Sequence, residues 1–302
     1  MKTPSLAIVI PFYKITFFEE TLQSLANQID KRFKVYIGND ASPSDPISLV
    51  EKYASQIDIA YKKFENNMGS ISLTKQWDRC IDLIENEEWI MILGDDDYLD
   101  ESVVAQFYKQ LPVFQDKSQV IRFATKIVFQ DTNSLSKAYT HPTWEMASDS
   151  YYRKFKEISR SSLSEHIFSK SSYKKYGFKN FNLAWHSDDL AWFDFSENKP
   201  IYTINNSFVY IGTSSESVSG SQDNISIKQV ETILFLRHLV TKKSCLFDLE
   251  KKLYFLFEYE FYIKKIRKLT LEEWSLVIVA YLKIGRFIPI LKVIRRFFLS
   301  LK

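Results

Sequence analysis

The chain has 302 residues, of which 45% are hydrophobic, 16% aromatic and 25% charged. These values favour one large domain with an appendage, or two unequal domains, and they exclude long disordered stretches. The net charge of +3 is too small to indicate nucleic-acid binding by itself, so the position of the charges matters more than their total.

The N-terminal part of the chain alternates short apolar runs with helical patterns. Four apolar runs, which are typical of strands buried on both faces of a parallel sheet, cover residues 6–12, 33–38, 57–64 and 89–93. Helical patterns follow these runs at residues 16–28, 46–55, 70–84 and 101–114. Because strands that alternate with helices are joined by right-handed crossovers, the pattern predicts an α/β sheet.

The remainder of the chain has a less regular pattern. Further strands are predicted at residues 120–130 and 201–211. Residues 131–153 are rich in Ser, Thr, Tyr and single prolines without a clear period, which predicts loops over one mouth of the sheet. From residue 224 onward glycine is rare and the pattern is helical, so we expect a domain boundary near Asp223.

Polar residues follow three of the predicted strands, at the edge where an open α/β sheet binds its ligands. They are Pro11 and Tyr13 after the first strand, Asp40 after the second, and Asp95, Asp96 and Asp97 after the fourth. Because the carboxyl ends of neighbouring parallel strands meet at one edge, we expect these side chains to share one site.

The three consecutive aspartates repel each other, and a bound cation would remove that repulsion. Mg²⁺ or Mn²⁺ suits the arrangement, since Mg²⁺ takes one or two protein carboxylates and completes its shell with substrate phosphates and water. The alternative is a solvated turn that caps the helix beginning near Glu101, where negative charge also favours the helix dipole. The triplet alone does not decide between these two interpretations.

A set of short motifs together resembles the family 2 glycosyltransferases, which have the GT-A fold. In chain order the motifs are LAIVIPFYK, VYIGNDASPSD, ENNMGS, KQWDRCIDL, EWIMILGDDDYLDES, SLSEHIF, YKKYGF and LAWHSDDLAWF. Each is weak, but their order and spacing across residues 6–219 make the set specific. The resemblance implies a Rossmann-like, mostly parallel sheet flanked by helices as a catalytic domain over residues 1–223, with a helical, basic and amphipathic C-terminal extension over residues 224–302.

The resemblance also implies a nucleotide site after the first two strands. Asp40 matches the family carboxylate that accepts a hydrogen bond from the nucleotide base, and Pro11 and Tyr13 form the neighbouring wall. The alternative for Asp40 is a turn in which Asp and Ser side chains satisfy their own backbone. Arg79 would approach a phosphate or pair with an acidic neighbour, and we favour the salt bridge.

In the triplet, the family pattern assigns Asp96 to the metal, Asp95 to the ribose or to a water near the metal, and Asp97 to the metal or the donor sugar. Many relatives carry a histidine metal ligand shortly after the last strand, but residues 211–219 contain none, and Ser214 lies at about that place. The metal would therefore be held by carboxylate and diphosphate alone, or His186 would enter from the acceptor side.

Asp188 and Asp189, in the motif LAWHSDDLAWF, resemble the acidic pair that supplies the catalytic base of the family. An inverting transfer needs one carboxylate that takes the acceptor hydroxyl proton as the oxygen attacks the anomeric carbon opposite the departing diphosphate. Asp189 is the first candidate and Asp188 the second. The alternative for one of the two positions is N-capping, by Ser187 or Asp188, of the helix over residues 190–195.

The C-terminal stretch is basic and amphipathic. Residues 262–302 contain ten Lys and Arg against two Glu, and residues 283–302 interleave cations with Phe, Ile and Leu. This pattern suits a helix that lies on an anionic membrane surface. It suits equally a helical hairpin that packs its apolar face on the catalytic domain or on a second copy in a homo-oligomer. Such stripes do not read bases, so we expect no nucleic-acid partner.

The N-terminus and the cysteines indicate a cytoplasmic protein. The start MKTPSLAIVIPFY reaches Pro11 after a short apolar run and lacks a cleavage site, so it indicates a strand and not a signal peptide. No window reaches the roughly eighteen apolar residues that span a bilayer. Cys80 and Cys245 have no partner at metal or redox spacing, which indicates two reduced thiols. We therefore expect a cytoplasmic protein, peripheral on the inner face of the plasma membrane.

These features predict an inverting, metal-dependent glycosyltransferase. The resemblance implies transfer from a nucleotide-diphosphate sugar, UDP-linked, to a glycan or polyprenyl-linked acceptor of a bacterial surface polysaccharide such as capsule, O-antigen (lipopolysaccharide) or exopolysaccharide. One alternative is a nucleotidyltransferase, although PFYKITFFEE is not the Gly-rich basic phosphate loop that such enzymes need. The other is a catalytically silent nucleotide- or glycan-binding module, which predicts loss of the metal aspartate or the base.

Overall fold

The structure is a computed structural model, and it describes residues 5–132, 134–214, 224–285 and 287–300. The chain divides into two compact units, Met1–Asp223 and Asn224–Lys302. The roles that the sequence assigns to these two ranges stay predictions.

The first unit is a sheet flanked by helices. In the described residues its strands are β1 (Leu6–Phe12), β2 (Phe33–Asn39), β3 (Ile59–Lys63), β4 (Trp89–Ile92), β5 (Tyr98–Leu99), β6 (Val120–Phe129), β7 (Ser134–Leu135), β8 (Trp144–Glu145), β9 (His166–Ser169) and β10 (Ile201–Thr213). Its helices are α1 (Phe18–Ala26), α2 (Ile47–Ala54), α3 (Leu73–Ile81), α4 (Val103–Phe114), α5 (Ala147–Phe155), α6 (Lys170–Tyr176) and α7 (Ser187–Phe195).

The sheet has the order β3-β2-β1-β4-β9-β6-β10-β5, with β7 paired to β6 and β8 paired to β10. Strand β1 runs parallel to β2 and to β4, and β10 runs parallel to β6 over the longest ladder. The carboxyl ends of β1, β2 and β4 therefore lie at one edge. The predicted α/β sheet is confirmed.

The core of the first unit explains why the strands are apolar runs. Every residue from Leu6 to Ile10 is fully buried, because helices cover both faces of the sheet. Helix α1 places Phe18, Leu22 and Leu25 on this core, all of them fully buried. Each such side chain contributes about 1.5–3 kcal/mol relative to an exposed one, so these strands are specified mainly by burial.

The prediction of loops over residues 131–153 is wrong, because this segment contains β7, β8 and helix α5. The sequence of α5, ASDSYYRKF, has few aliphatic residues. Its buried face combines Ala147 and Tyr151 with a polar contact, in which Ser150 accepts a hydrogen bond of 2.5 Å from Arg122 of β6. Strand β9 was not predicted either. It has four residues and inserts antiparallel between β4 and β6.

A buried ionic network joins four elements of the first unit. The guanidinium of Arg122, which is fully buried, lies 2.8 Å from Glu145, and Arg153 lies 2.7 Å from the other oxygen of the same carboxylate. Thr203 accepts a further hydrogen bond of 3.1 Å from Arg122. The network therefore connects β6, β8, β10 and α5 through polar contacts.

The second unit is helical in the described residues. Its helices are α8 (Ile225–His238), α9 (Leu249–Ile266), α10 (Leu271–Ile284) and α11 (Phe287–Ser300). A capping box formed by Thr270 and Glu273 begins α10. Helix α11 is joined to α9 by a two-pronged ion pair between Arg296 and the buried carboxylate of Glu260, with both distances 2.7 Å. None of the helices in the described ranges combines the length and the apolar character that a membrane crossing requires.

Candidate active site

A cavity of about 850 Å³ opens in the first unit, at the carboxyl ends of β1, β2 and β4. All eight predicted site residues line it: Pro11, Tyr13, Asp40, Asp95, Asp96, Asp97, Asp188 and Asp189. The structure thus brings together groups that lie far apart in the sequence. Their individual roles stay predictions.

Asp95 joins the loop after β4 to the loop after β1. One oxygen of its carboxylate accepts the backbone N–H groups of Tyr13 and Lys14, each at 2.7 Å. Burial raises the pKa of Asp95, and these two N–H groups oppose the shift. This oxygen of Asp95 therefore positions the nucleotide wall that the sequence predicts around Tyr13.

Asp97 is buried and anchored on the far side of the triplet. Its carboxylate accepts the backbone N–H of Gly212 at 2.8 Å, and its carbonyl oxygen accepts the hydroxyl of Thr21 at 2.8 Å. A Cβ at Gly212 would collide with the carbonyl oxygen of Asp96, so the close approach of β10 requires glycine there. Burial raises the pKa of Asp97 to about 6, although the Ser164 hydroxyl and the Gly212 N–H oppose the shift.

Asp96 differs from its two neighbours because no other residue of the described chain donates a hydrogen bond to its carboxylate. Burial, followed by the charges of Asp97 and Asp95, raises the pKa of Asp96 to about 8. The capping interpretation of the triplet is wrong. Helix α4 begins at Val103, and Asp100 is the residue whose carboxylate accepts the N–H of Ser102.

A divalent cation fits this arrangement when the substrate supplies most of its ligands. Within the described residues, no three His, Cys, Asp or Glu side chains converge where they could hold a metal by themselves. Asp95 and Asp97 each commit an oxygen to the backbone, whereas no other residue of the described chain donates a hydrogen bond to the carboxylate of Asp96. Mg²⁺ often binds in this way, through one or two carboxylates plus phosphates and water. Residues 215–219 of the stretch that lacks the family histidine lie outside the described residues.

Asp40 is almost fully buried, and both of its oxygens already have partners. They accept the backbone N–H groups of Met68 at 2.6 Å and Gly69 at 2.8 Å, and the carboxylate forms an ion pair with Arg79. The predicted salt bridge of Arg79 is therefore confirmed. The Arg79 guanidinium also lies 3.9 Å from the ring centroid of Phe64 and stacks on that ring.

Gln76 orients the guanidinium group of Arg79. Its side-chain amide donates to the carbonyl oxygen of Gly38 at 3.1 Å, and its oxygen accepts a hydrogen bond from Arg79. Its side chain is nearly fully buried, so it connects β2 to the ion pair of Asp40.

The acidic pair lies in the first turn of α7, and capping does not explain it. The N-cap residue is His186, and its side chain forms no capping hydrogen bond. Asp189 is buried, with Lys154 at 2.6 Å from one oxygen and the Nδ1 atom of His186 at 2.8 Å from the other. Burial acts to raise the pKa of Asp189, but Lys154 and His186 outweigh it and hold that pKa well below its ordinary value.

Asp188 has the opposite electrostatic environment. Burial raises its pKa to about 7, the charge of Asp189 adds to the shift, and Lys154 opposes it. The two adjacent carboxylates therefore have pKa values pushed apart. Such a division between paired titratable groups is typical of acid–base sites.

Sequence reasoning missed the cations of the cavity. Lys154 and Arg160 line it together with Lys14. Lys154 belongs to α5 and Arg160 to the loop that follows, both just after residues 131–153, the segment predicted to form loops. No periodicity identifies these residues. Lys154 directly follows Arg153, which pairs with Glu145, but this neighbour identifies Lys154 as a site residue only once the fold is known.

The backbone before α7 is strained where it borders the cavity. Leu183, Ala184 and His186 have positive φ angles of 59°, 52° and 70°. For residues other than glycine this conformation costs on the order of 1–3 kcal/mol each and clusters at functional sites. The strain places Trp185 and His186 in the cavity wall.

The mixed sheet with its parallel strands β1, β2 and β4, the cavity at their carboxyl ends and the acidic triplet define a GT-A fold. The chain belongs to glycosyl transferase family 2: residues 7–180, more than half of its length, match the sequence profile described as Glycosyl transferase family 2. It is therefore a glycosyltransferase, and the predicted family and fold are confirmed. No curated protein matches the chain in sequence.

Solved structures with the same fold include two proteins bound to nucleotide sugars. The structure of TarS residues 1–349 from S. aureus in complex with UDP-GlcNAc has a TM-score of 0.66 and 18% identity, covering 91% of this chain and 79% of that one. The mannosyltransferase PcManGT from Pyrobaculum calidifontis in complex with GDP-Man and Mn²⁺ has a TM-score of 0.54 and 12% identity, covering 100% and 82%. At these identities the likeness shows the fold alone.

Proposed function

We propose that this glycosyltransferase is inverting and metal-dependent, and that it moves a sugar from a UDP-linked donor to a hydroxyl group of a glycan or polyprenyl-linked acceptor. The observation that carries the proposal is one cavity lined by both the acidic triplet and the Asp188–Asp189 pair. Its volume of about 850 Å³ is in the range of ligand sites and suits a nucleotide sugar. By resemblance, the product belongs to a bacterial surface polysaccharide.

The donor lies, in this proposal, between Asp40 and Asp96. Pro11 and Tyr13 form the wall for the base, and Asp95 holds that wall through the backbone. Mg²⁺ or Mn²⁺ held by Asp96 would neutralise the charge that develops on the leaving diphosphate. Asp97 keeps β10 close to the triplet through the N–H of Gly212.

The acceptor lies on the side of the Asp188–Asp189 pair. One carboxylate of this pair takes the proton of the acceptor hydroxyl as the oxygen attacks the anomeric carbon. The attack comes from the face opposite the diphosphate, which inverts the anomeric configuration. Family membership argues against the alternative of a nucleotidyltransferase. A measurement of turnover tests the alternative of a catalytically silent binding module.

A panel of UDP- and GDP-sugars, each with and without Mn²⁺, tests the function. We expect one donor to raise the melting temperature in the presence of Mn²⁺, because a ligand that binds the folded state stabilises it by mass action. The same donor is then hydrolysed slowly, with nucleoside diphosphate as the measured product. Absence of metal-dependent turnover with every donor would overturn the transferase proposal, whereas turnover without metal would overturn only the metal requirement.

The second unit carries the charge and the apolar surface for membrane binding. Residues 224–302 contain sixteen Lys and Arg against seven Asp and Glu, a net charge of +9, whereas residues 1–223 have a net charge of −6. On α11, Val293 and Phe297 pack inside the unit, the latter at 5.6 Å from Trp274 between ring centroids. This face of α11 therefore packs within the second unit itself.

A different face of α11 is exposed and mixes apolar side chains with cations. Ile288, Leu291 and Phe298 are 69%, 57% and 61% exposed, and Lys292 and Arg295 lie exposed beside them. Their spacing of three to four residues places the apolar groups on one side of the helix. We assign this face to an anionic lipid surface, which fits a lipid-linked acceptor.

Vesicle sedimentation tests the lipid surface. We expect the protein to sediment with phosphatidylglycerol vesicles and not with phosphatidylcholine vesicles, and to be released by salt. Leu291→Glu and Phe298→Glu each weaken this binding, while Ile29→Glu, which alters an equally exposed side chain of the first unit, does not. If light scattering instead shows a dimer that Phe298→Glu dissociates, the face binds a second copy and the lipid assignment is wrong.

A further inference from the structure

Helix α1 and the residues just after it carry buried polar side chains that bond to the segment of the acidic triplet. Thr21 and Ser24 lie on one side of α1, Gln28 follows its end, and none of the three is more than 9% exposed. The Thr21 hydroxyl donates to the carbonyl oxygen of Asp97, and the Gln28 amide donates to that of Asp100, both at 2.8 Å. Ser24 accepts a backbone N–H of the same segment. The row therefore fixes the triplet segment against α1.

The hydroxyl of Thr21 lies closer to the triplet than to its own helix. Threonine in a helix commonly bonds back to the carbonyl oxygen of the residue four positions earlier. Here that oxygen, which belongs to Phe17, is 3.5 Å away, whereas the carbonyl oxygens of Asp97 and Asp95 lie at 2.8 Å and 3.3 Å. The fully buried hydroxyl thus brings together the carbonyl groups of the two residues on either side of Asp96.

Both peptide groups that flank Asp96 are held in place. The group before it contains the carbonyl oxygen of Asp95, which Thr21 approaches. The group after it donates its N–H within the turn at 3.2 Å, and its carbonyl oxygen accepts a hydrogen bond of 3.3 Å from the side-chain amide of Gln130. Because these two peptide groups set the backbone angles of Asp96, they also set the direction of its Cα–Cβ bond.

We infer that Thr21 is a positioning residue, which orients the carboxylate of Asp96 for the divalent cation through the backbone of the triplet, while Gln130 holds the following peptide group. This inference rests on the proposed metal-dependent function. Thr21 does not line the cavity, so it acts through Asp96 and not on the substrate. Hydrogen bonds that orient the ligands of a metal commonly change its affinity or the activity by about 10- to 100-fold.

Helix α1 also connects the triplet to the nucleotide wall. The loop that leads into α1 contains Tyr13 and Lys14, whose N–H groups bond to the carboxylate of Asp95. The apolar side chains of Phe18 and Leu22 bury α1 against the sheet. One packed helix therefore sets the position of the metal carboxylate relative to the wall, as a rigid support does for a functional group.

The test compares Thr21→Val and Thr21→Ser in the full chain. Valine resembles threonine in shape but lacks the donor, so it removes the hydrogen bonds and keeps the packing of α1. With saturating UDP, the electron paramagnetic resonance signal of free Mn²⁺ measures Mn²⁺ binding. For Thr21→Val we expect the apparent Kd for Mn²⁺ to rise about tenfold and kcat for donor hydrolysis to fall about tenfold. Thr21→Ser keeps the hydroxyl, and both values stay close to native.

Ser118 offers a matched control in the same unit. It is also fully buried, and its hydroxyl donates to the carbonyl oxygens of Val120 and Pro200, each at 2.7 Å, away from the cavity. We expect Ser118→Ala to lower the melting temperature at least as much as Thr21→Val, because both remove a buried donor from backbone carbonyl groups. Its Mn²⁺ binding and its turnover stay native.

Native Mn²⁺ binding and native turnover in Thr21→Val, with only a lower melting temperature, would overturn the inference and leave the transferase proposal standing. An equal loss of Mn²⁺ binding in Ser118→Ala would also overturn it. If Thr21→Val does not fold, Gln130→Met replaces it, because this change removes the donor to the carbonyl oxygen of Asp96; native Mn²⁺ binding there would contradict the inference. Absence of Mn²⁺ binding and of turnover in the native chain would instead overturn the proposed metal-dependent function, and this inference with it.

Discussion

Asp96→Asn is expected to abolish metal-dependent transfer while the protein remains as stable as the native chain, or becomes more stable. The side chain has no hydrogen-bond donor from another residue of the described chain, so the amide leaves no partner unsatisfied. Burial and two neighbouring carboxylates raise its pKa to about 8. At neutral pH this carboxyl is ionised in the unfolded chain and must take up a proton in the folded one, which costs free energy of folding, and Asn removes that cost.

The loss of turnover in Asp96→Asn has an electrostatic cause. Without this carboxylate the cation that offsets the charge of the leaving diphosphate is held more weakly, and we expect at least about a 10²-fold fall in turnover. The measurements are UDP release with Mn²⁺ and the melting temperature with and without Mn²⁺. Asp45→Asn, in the loop after β2 and outside the cavity, serves as the matched control.

The melting temperature of Asp96→Asn distinguishes a metal ligand from a residue that only stabilises a turn. If Asp96 acted only in a turn, its replacement would lower the melting temperature and leave the effect of Mn²⁺ unchanged. In the proposed site the melting temperature is kept and the stabilisation by Mn²⁺ with the nucleotide disappears. Turnover equal to that of Asp45→Asn would contradict the assignment of Asp96.

The fold was predictable where burial alone specifies it. Strand β1 has the predicted bounds because its residues are buried on both faces, and an apolar run is then the local signal. The carboxyl-edge rule placed Asp40 and the triplet together for the same reason, since parallel neighbours end at one edge. These inferences need only local pattern and general topology.

The parts that could not be predicted depend on partners distant in sequence. Helix α5 has few aliphatic residues and is bonded to Arg122 of a distant strand, so the site lysine it carries gave no local signal. The contacts of Asp95 with Tyr13 and Lys14 join residues more than eighty positions apart. Asp40 was assigned to the nucleotide base, yet its oxygens hold backbone N–H groups of a distant loop. Sequence pattern identified the residues, and tertiary contacts decide what each carboxylate can do.

Glu145→Gln is expected to be strongly destabilising, because it leaves the buried charge of Arg122 without its counterion. Arg122 is fully buried and lies 2.8 Å from Glu145, whose side chain is only 5% exposed. Removing one member of such a pair costs about 3–5 kcal/mol, since the remaining charge is then desolvated without compensation. Ser150 and Thr203 still accept hydrogen bonds from Arg122 but carry no negative charge.

An exposed pair of the same unit provides the control for Glu145→Gln. Lys34 lies 3.0 Å from Glu85, which is 63% exposed, so Glu85→Gln is expected to change the free energy of unfolding by no more than about 1 kcal/mol. Urea unfolding of the two variants measures the difference. Because Arg153 and Lys154 are neighbours on α5, Glu145→Gln should also reduce turnover, whereas Glu85→Gln should not. Equal stability of the two variants would mean that the network does not hold α5, and with it Lys154, against the sheet.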